Sequence, residues 1–318
     1  MTFEKRKLGN TDIEVSPIGL GVMQFAGGEG VFGKIFPVLA QEEKNTIIQT
    51  ALDNGINWFD TAEMYGFGRS EQGLSDGLKA AGKGSEDVVV ATKWLPLFRS
   101  ARNIPKTIHD RIRFLDGYNI DLYMVHQPWS FSSTEAQMDA MADLVEAGYI
   151  RSVGISNFNA GQMRRAYTAL QKRGVQLAAN QMEYSLLNRK IESNNVIATA
   201  KELGVTITAY TPLGYGLLTG KYHKNPELFD QSSRSFMLKR KFEQSRPIVE
   251  ALEEIAKKYD ATPGQVALNW VIHFQGETVV TIPGATKVEH VKQSAGTMKF
   301  KLSKNELMRL DELSSEFL

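Results

Sequence analysis

Four residues in the first 130 positions could together carry out chemistry at a carbonyl. Asp60 and Tyr65 stand five apart in Asp60-Thr61-Ala62-Glu63-Met64-Tyr65, directly after the apolar run Ile56-Asn57-Trp58-Phe59. Lys93 closes a second apolar run, Val88-Val89-Val90-Ala91-Thr92, and His126 closes a third, Leu122-Tyr123-Met124-Val125. A tyrosine is a weak acid, with an unperturbed pKa of about 10, and donates near neutral pH only where its phenolate is stabilised. A neighbouring ammonium does this, and Lys93 is the candidate for lowering Tyr65. A buried lysine tends to lose its own proton unless a counter-ion holds it, which is the task open to Asp60. His126 could orient a carbonyl oxygen or relay the proton. The four together would polarise a carbonyl while hydride arrives from a cofactor.

The elements that must position them follow from the pattern along the chain. A small hairpin over 5–15 turns at Gly9-Asn10-Thr11-Asp12. Residues 18–21 form a first buried strand, and a loop continues through Gly27, Gly28, Gly30 and Gly33. A regular alternation then begins: helix 42–54, with Ile47, Ile48, Ala51 and Leu52 on one face and Gly55 at its end, then strand 56–59. Ser70 caps a helix over 71–81. Strand 87–92 precedes a helix near 103–116, strand 120–125 a helix near 134–147, and strand 150–155 a helix near 160–172. Strand 177–180 precedes a helix near 191–203, and strand 205–209 runs into a long irregular stretch over 211–242. Helices near 244–258 and 263–274 follow, the second with Thr262, Pro263 and Gln265 as cap, first-turn proline and capping-box partner. Strand 278–282 ends in Pro283-Gly284. A helix near 288–295 and a last one from Ser303, with Glu306 closing a capping box, finish the chain.

Eight strands, several of them apolar throughout, with helices between most of them, predict a single parallel (β/α)8 TIM barrel over 1–318, with an N-terminal hairpin and extra C-terminal helices. A doubly wound sheet is the alternative, but Gly19-Leu20-Gly21-Val22-Met23-Gln24 fails its dinucleotide fingerprint. In a barrel, residues at strand C-terminal ends converge on one site. Composition narrows the chemistry further. The 318 residues carry a net charge of +1 and no cysteine, so disulfides, thiolate metal sites and a cysteine nucleophile are excluded. No global field attracts nucleic acid or an anionic membrane. The charged N-terminus lacks an apolar h-region, and no apolar run is long enough to span a bilayer; a cytoplasmic protein is expected. His109, His223, His273 and His290 show no metal-ligand spacing, and no metal is expected. No heptad or interface stripe speaks to oligomeric state. Trp94, Phe98 and Trp129 follow catalytic strand ends and are candidates for substrate-pocket walls.

The sequence resembles the aldo-keto reductases over nearly its whole length. Asp-Thr-Ala-Glu-x-Tyr-Gly (60–66) followed by Gly-x-Ser-Glu (68–71), Ala-Thr-Lys (91–93), Val-His (125–126) and Ile150-Arg151-Ser152-Val153-Gly154-Ile155-Ser156-Asn157-Phe158 match family signatures. So do Gln181, Ala209-Tyr210-Thr211-Pro212-Leu213 and Ile282-Pro283-Gly284-Ala285. The resemblance implies that Asp60, Tyr65, Lys93 and His126 are a catalytic tetrad and that NADPH lies extended across the barrel mouth. It places Gly21, Val22, Met23 and Asp60 beside the cofactor, with Ser156, Asn157 and Gln181 on the nicotinamide carboxamide. Tyr210 would stack on the ring, with Thr211 next to it. Leu213, Gly216 and Leu217 would cradle the pyrophosphate, and Lys221 and Arg234 belong to a loop folding over it. Gly284, Ala285 and Thr286 precede a helix whose amides would meet the adenosine phosphate. Lys287 would pair with a 2′-phosphate, and Gln293 would lie near the adenine. His290 and Ser294 depart from the arginine and asparagine of many relatives. The branch with the most similar loop pattern contains bacterial and plant general reductases and potassium-channel β-subunit relatives. The expected activity is therefore NADPH-dependent reduction of a small carbonyl compound. An NADPH-binding regulatory subunit and a Schiff-base aldolase using Lys93 are the competing readings.

Overall fold

Runs that are apolar at every position need cover on both faces of their sheet, and the chain provides it by closing the sheet on itself. In the computed structural model, which describes residues 4–28, 37–231 and 235–318, an antiparallel pair, β1 (Arg6–Lys7) and β2 (Glu14–Val15), comes first. Eight parallel strands follow: β3 (Leu20–Gly21), β4 (Trp58–Asp60), β5 (Val89–Trp94), β6 (Leu122–Val125), β7 (Ser152–Ser156), β8 (Leu177–Glu183), β9 (Thr206–Tyr210) and β10 (Val279–Thr281). Each pairs with the next in chain order. The first and last then meet. The Gly19 and Gly21 amides donate to the carbonyls of Thr281 (2.8 Å) and Pro283 (3.1 Å), and the Thr281 amide donates to Pro17 (3.0 Å). This closure and order make the fold a (β/α)8 barrel and remove the doubly wound alternative, whose strand order reverses at a switch point.

The outer layer follows strand by strand. It comprises α1 (Gln41–Asp53), α2 (Arg69–Ala80), α3 (Ile104–Leu115), α4 (Thr134–Glu146), α5 (Ala160–Gln171), α6 (Lys190–Ser193) and α7 (Val196–Leu203). After β9 come α8 (Lys221–Lys224), α9 (Pro226–Asp230), α10 (Ser235–Gln244), α11 (Arg246–Lys258) and α12 (Pro263–His273); after β10 come α13 (Val288–Gly296) and α14 (Lys304–Leu313). The helices pack by their apolar stripe, as α11 does with Ile248, Leu252 and Ile255. Among the described residues no helix is long and apolar enough to cross a membrane.

The two-residue period of a strand sorts side chains between two cores. Trp58, Val89, Ala91, Leu122, Met124 and Val280 fill the barrel interior together with Leu8, Ile13 and Val15 of the hairpin. Phe59, Val90, Tyr123, Val125 and Trp94 face the helices instead. The hairpin therefore plugs the N-terminal end. Gly9 is essential to that plug: it sits at φ +57°, and a Cβ there would approach the Ala178 carbonyl oxygen to 2.7 Å.

Three local expectations are corrected. Ser70 does not cap α2; the helix starts after Gly68 at φ 104°, where a Cβ would meet the Phe114 ring at 2.4 Å. Ser70 lies in the first turn and its hydroxyl donates to Val22 O at 2.7 Å. The helix expected over 191–203 is broken in two at Asn195, which stands at φ 66°. The stretch 211–242 is not wholly irregular: it holds the 3₁₀ turn Gly214–Thr219 and the short helices α8 to α10. Their clamp is an aromatic stack, with Phe242 4.3 Å from Phe229 and 4.5 Å from His223.

Candidate active site

The strand period that buries Trp58 and Ala91 in the barrel also brings Asp60 and Lys93, two residues on in each strand, to its C-terminal end. Both are almost fully buried. The Lys93 ammonium donates to Asp60 Oδ2 at 2.6 Å and to the Thr61 carbonyl at 2.7 Å. Gln181, reaching over from β8, donates to the other carboxylate oxygen, Asp60 Oδ1, at 2.9 Å. An ammonium has three protons. Two are committed, and Lys93 Nζ lies 5.1 Å from the centre of the Tyr65 ring. The Tyr65 and His126 rings meet edge to face with centroids 5.8 Å apart. The structure thus brings all four sequence-predicted catalytic residues into one cluster.

Burial dominates the electrostatics. It raises the Asp60 carboxyl and lowers the Lys93 ammonium, and their 2.6 Å ion pair opposes both shifts. Burial, then the neighbouring Lys93 charge, hold His126 well below the usual histidine value, so its imidazole is neutral. Nδ1 of that ring is buried and makes no hydrogen bond among the described residues. Tyr65 contradicts the expectation from sequence. Its phenol is pushed well above 10, first by burial and then by the charges of Asp60 and Tyr210. The Lys93 ammonium, 5.1 Å from the ring centre, does not outweigh these effects in the resting site.

Of the residues proposed for a cofactor, Gly21, Asp60, Ser156, Gln181 and Tyr210 lie toward the C-terminal ends of their strands, and Asn157, Thr211 and Gly284 closely follow such ends. Asn157, at φ 63°, accepts from the Tyr210 hydroxyl at 3.0 Å and donates to Ser156 Oγ at 3.1 Å. Thr211 and the consecutive Gly214, Tyr215 and Gly216 have φ values of 53°, 55°, 59° and 91°, left-handed conformations in the loop after β9. A Cβ on Gly216 would stand 3.9 Å from Lys221 Nζ, so the turn faces a cation. Leu213 flanks this turn, and Leu217 is buried beneath it. Gly21 and Gly284 bridge where the barrel closes, with Val22 and Met23 following. Gly284 packs so tightly that a Cβ would lie 2.2 Å from Gln24 Nε2. Thr286 and Lys287 lead into α13, where the Thr286 amide donates to His290 Nδ1 at 3.4 Å. Gln293 donates to Glu289 at 3.2 Å on the outer side of that helix. Arg234 lies outside the described residues, as do Gly30 and Gly33.

The substrate-side expectations divide. Phe98 and Trp129 are 79% and 65% exposed on mouth loops. Trp94 is not at the mouth: it is fully buried against the helices, and its indole donates to Asn103 at 3.0 Å. Alternation from inward-facing Lys93 forces this. Sequence reasoning missed the Thr61 carbonyl, which no side-chain pattern reveals. It also missed Glu63 and Phe131, although Glu63 stands inside the Asp60–Tyr65 segment.

Residues 17–315 match the family model described as Aldo/keto reductase family. The chain is 32% identical to Aldo-keto reductase yakc [NADP(+)] of Schizosaccharomyces pombe, over 95% of this chain and 89% of that protein. It superposes on the glycerol dehydrogenase of Gluconobacter oxydans with a TM-score of 0.81 at 26% identity, covering 100% of this chain and 97% of that one. It likewise superposes on an aldo-keto reductase of Klebsiella pneumoniae in complex with NADPH, with a TM-score of 0.74 at 26% identity, covering 99% and 96%. With the barrel, the buried Asp60–Lys93 pair and the polar mouth in place, these matches put the chain in the aldo/keto reductase family.

Proposed function

We propose that the protein reduces aldehyde or ketone carbonyls to alcohols with NADPH, with Tyr65 as the proton donor. The observation that supports this best is the placement of Lys93: it donates to Asp60 and Thr61, and its ammonium stands 5.1 Å from the centre of the Tyr65 ring. The residues present fit a phosphorylated dinucleotide. The left-handed turn at Gly214–Gly216 faces Lys221, and Lys287 and Lys221 both bear electrostatically on His290. The S. pombe relative's name and the Klebsiella complex point to the same cofactor. NADPH would supply the hydride.

The rest of the chemistry belongs to the chain. A carbonyl oxygen placed between Tyr65 and His126 meets a phenol and a neutral imidazole, which presents one N–H. Because burial keeps Tyr65 protonated, the acid is available throughout the physiological pH range. As charge develops on the substrate oxygen, the nascent alkoxide becomes a stronger base than a phenolate and takes the Tyr65 proton. Lys93 then stabilises the phenolate, and Asp60 keeps Lys93 charged. In alcohol oxidation the same phenolate is the base. The aldolase reading is disfavoured, because a lysine with two protons held by acceptors is a poor nucleophile.

The test is the loss of reduced-nicotinamide absorbance with a panel of aldehydes, wild type beside Tyr65→Phe. The variant is expected to lose about 10²–10⁴-fold in kcat while binding NADPH with unchanged affinity. Near-normal turnover in Tyr65→Phe removes the role given to Tyr65. A wild type that binds NADPH but reduces no aldehyde supports the regulatory-subunit reading instead.

A further inference from the structure

Glu63 lies two residues before Tyr65 and is nearly buried, yet it takes no part in the tetrad. Both its carboxylate oxygens reach the loop after β5. Oε1 accepts from Arg99 Nη1 at 2.6 Å and Oε2 accepts from the Leu95 amide at 3.0 Å. Arg99 in turn presents its carbonyl to the loop after β6, accepting from the Phe131 amide at 3.0 Å and from Ser130 Oγ at 3.0 Å. Three loops are therefore tied in series: the one bearing Tyr65, the one bearing Phe98, and the one bearing Phe131. Phe98 and Phe131 stand 79% and 76% exposed with ring centroids 6.4 Å apart. Phe98 is held at φ 54°, a left-handed conformation that bulky residues adopt only where surroundings enforce it.

We propose that the Glu63–Arg99 ion pair is a substrate-positioning clamp, which fixes the Phe98 and Phe131 rings relative to the Tyr65 hydroxyl and so sets selectivity for the size of the carbonyl compound. This rests on the reductase reading above. Glu63 and Arg99 touch no reacting atom; they act through the two rings. An ion pair does this better than an apolar contact, because the guanidinium and carboxylate fix direction as well as distance. A displaced ring does not reach the hydride-transfer step of a very small substrate but misplaces a large one, and misplacement of about 1 Å can cost on the order of 100-fold. A second link, the Ala101 amide to Ser132 Oγ at 2.9 Å, keeps the loops folded when the clamp is removed.

The experiment compares wild type, Arg99→Met, Glu63→Gln and the double variant with a short aliphatic and a bulky aromatic aldehyde. The ratio of kcat/KM, bulky over small, is expected to fall about tenfold in each single variant. The change should be carried by KM, and the double variant should be no worse than either single, as coupled residues require. General damage lowers both substrates together and leaves the ratio unmoved; an unmoved ratio overturns the proposal. Amide hydrogen exchange in Arg99→Met gives a reading independent of turnover. Loss of protection at Leu95 and Phe131, with β5 unchanged, supports the clamp, and unchanged protection there refutes it even if no aldehyde is reduced by wild type.

Discussion

At the scale of single residues, the neutral state of His126 has the plainest consequence. Burial and the Lys93 charge lower its pKa well below 6.5 in the folded chain, so below pH 6.5 the unfolded chain takes up a proton that the folded one does not. By linkage, stability falls as pH drops through that range, while the protonation state at the site does not change. His126→Gln is expected to lose this part of the acid sensitivity, read as a smaller drop in denaturation midpoint between pH 7 and pH 5. The kcat/KM profile of wild type should show no inflection near 6.5 that this substitution abolishes; finding one would contradict a neutral His126. Asp60, Lys93 and His126 were legible because each ends an apolar run, and strand ends in a barrel share a mouth. The outward face of Trp94 was legible too, because an inward Lys93 turns its strand neighbour outward. The raised pKa of Tyr65 was not legible, since desolvation is a property of the packed interior. Nor was the Glu63–Arg99 pair, whose partners are 36 residues apart with no local pattern to join them.

At the scale of elements, helices are held to strands by a few buried polar contacts as well as by apolar faces. Glu71 in the first turn of α2 accepts from Thr92 Oγ1 of β5 at 2.6 Å and pairs with Arg111 of α3 at 2.9 Å, all three nearly or fully buried. Burial lifts this carboxyl to about 7, against the pull of Arg111. Removing one partner leaves the other buried and uncompensated, which costs about 3–5 kcal/mol, whereas replacing both by apolar groups is often neutral. Glu71→Leu and Arg111→Met are each expected to lower the unfolding free energy by that amount, and the double variant by clearly less than the sum. Strict additivity in chemical denaturation would show that the pair is not a unit. The helices α2 and α3 were readable from apolar period and length, but the pair between them was not. The segment 211–242 failed for a related reason. Helices of four or five residues such as α8 and α9 have no periodicity to read, and the Phe229–Phe242–His223 stack that holds them joins residues far apart in sequence.

At the scale of the whole molecule, the barrel separates its two tasks along its axis. The closed end is apolar: Leu8, Ile13 and Val15 of the hairpin cover Trp58, whose indole donates to Ser16 O at 2.9 Å. The open end carries Asp60, Lys93 and His126, each two residues on from Trp58, Ala91 and Met124 of the interior, with Tyr65 on the loop after β4. Sequence pattern reached this architecture because eight strands, several of them apolar throughout, with intervening helices admit few other closures. It did not reach the contacts between Gly19, Gly21, Thr281 and Pro283 that complete the ring. The separation is testable, since Trp58 and Asp60 share β4 and differ only in depth. Trp58→Ala should cost about 3–5 kcal/mol through the cavity it opens, lowering the denaturation midpoint. The Asp60–Lys93 geometry rests instead on Gln181 and Thr61, so the fraction that remains folded should reduce aldehydes with a kcat close to wild type. Asp60→Asn should do the opposite. It keeps the apolar plug intact but leaves Lys93 without its counter-ion in a site where burial already favours loss of its proton, and turnover should fall while NADPH binding persists. If Trp58→Ala lost kcat in step with stability, the two ends would be one cooperative unit, and the polar contacts at the mouth would not suffice to hold the tetrad.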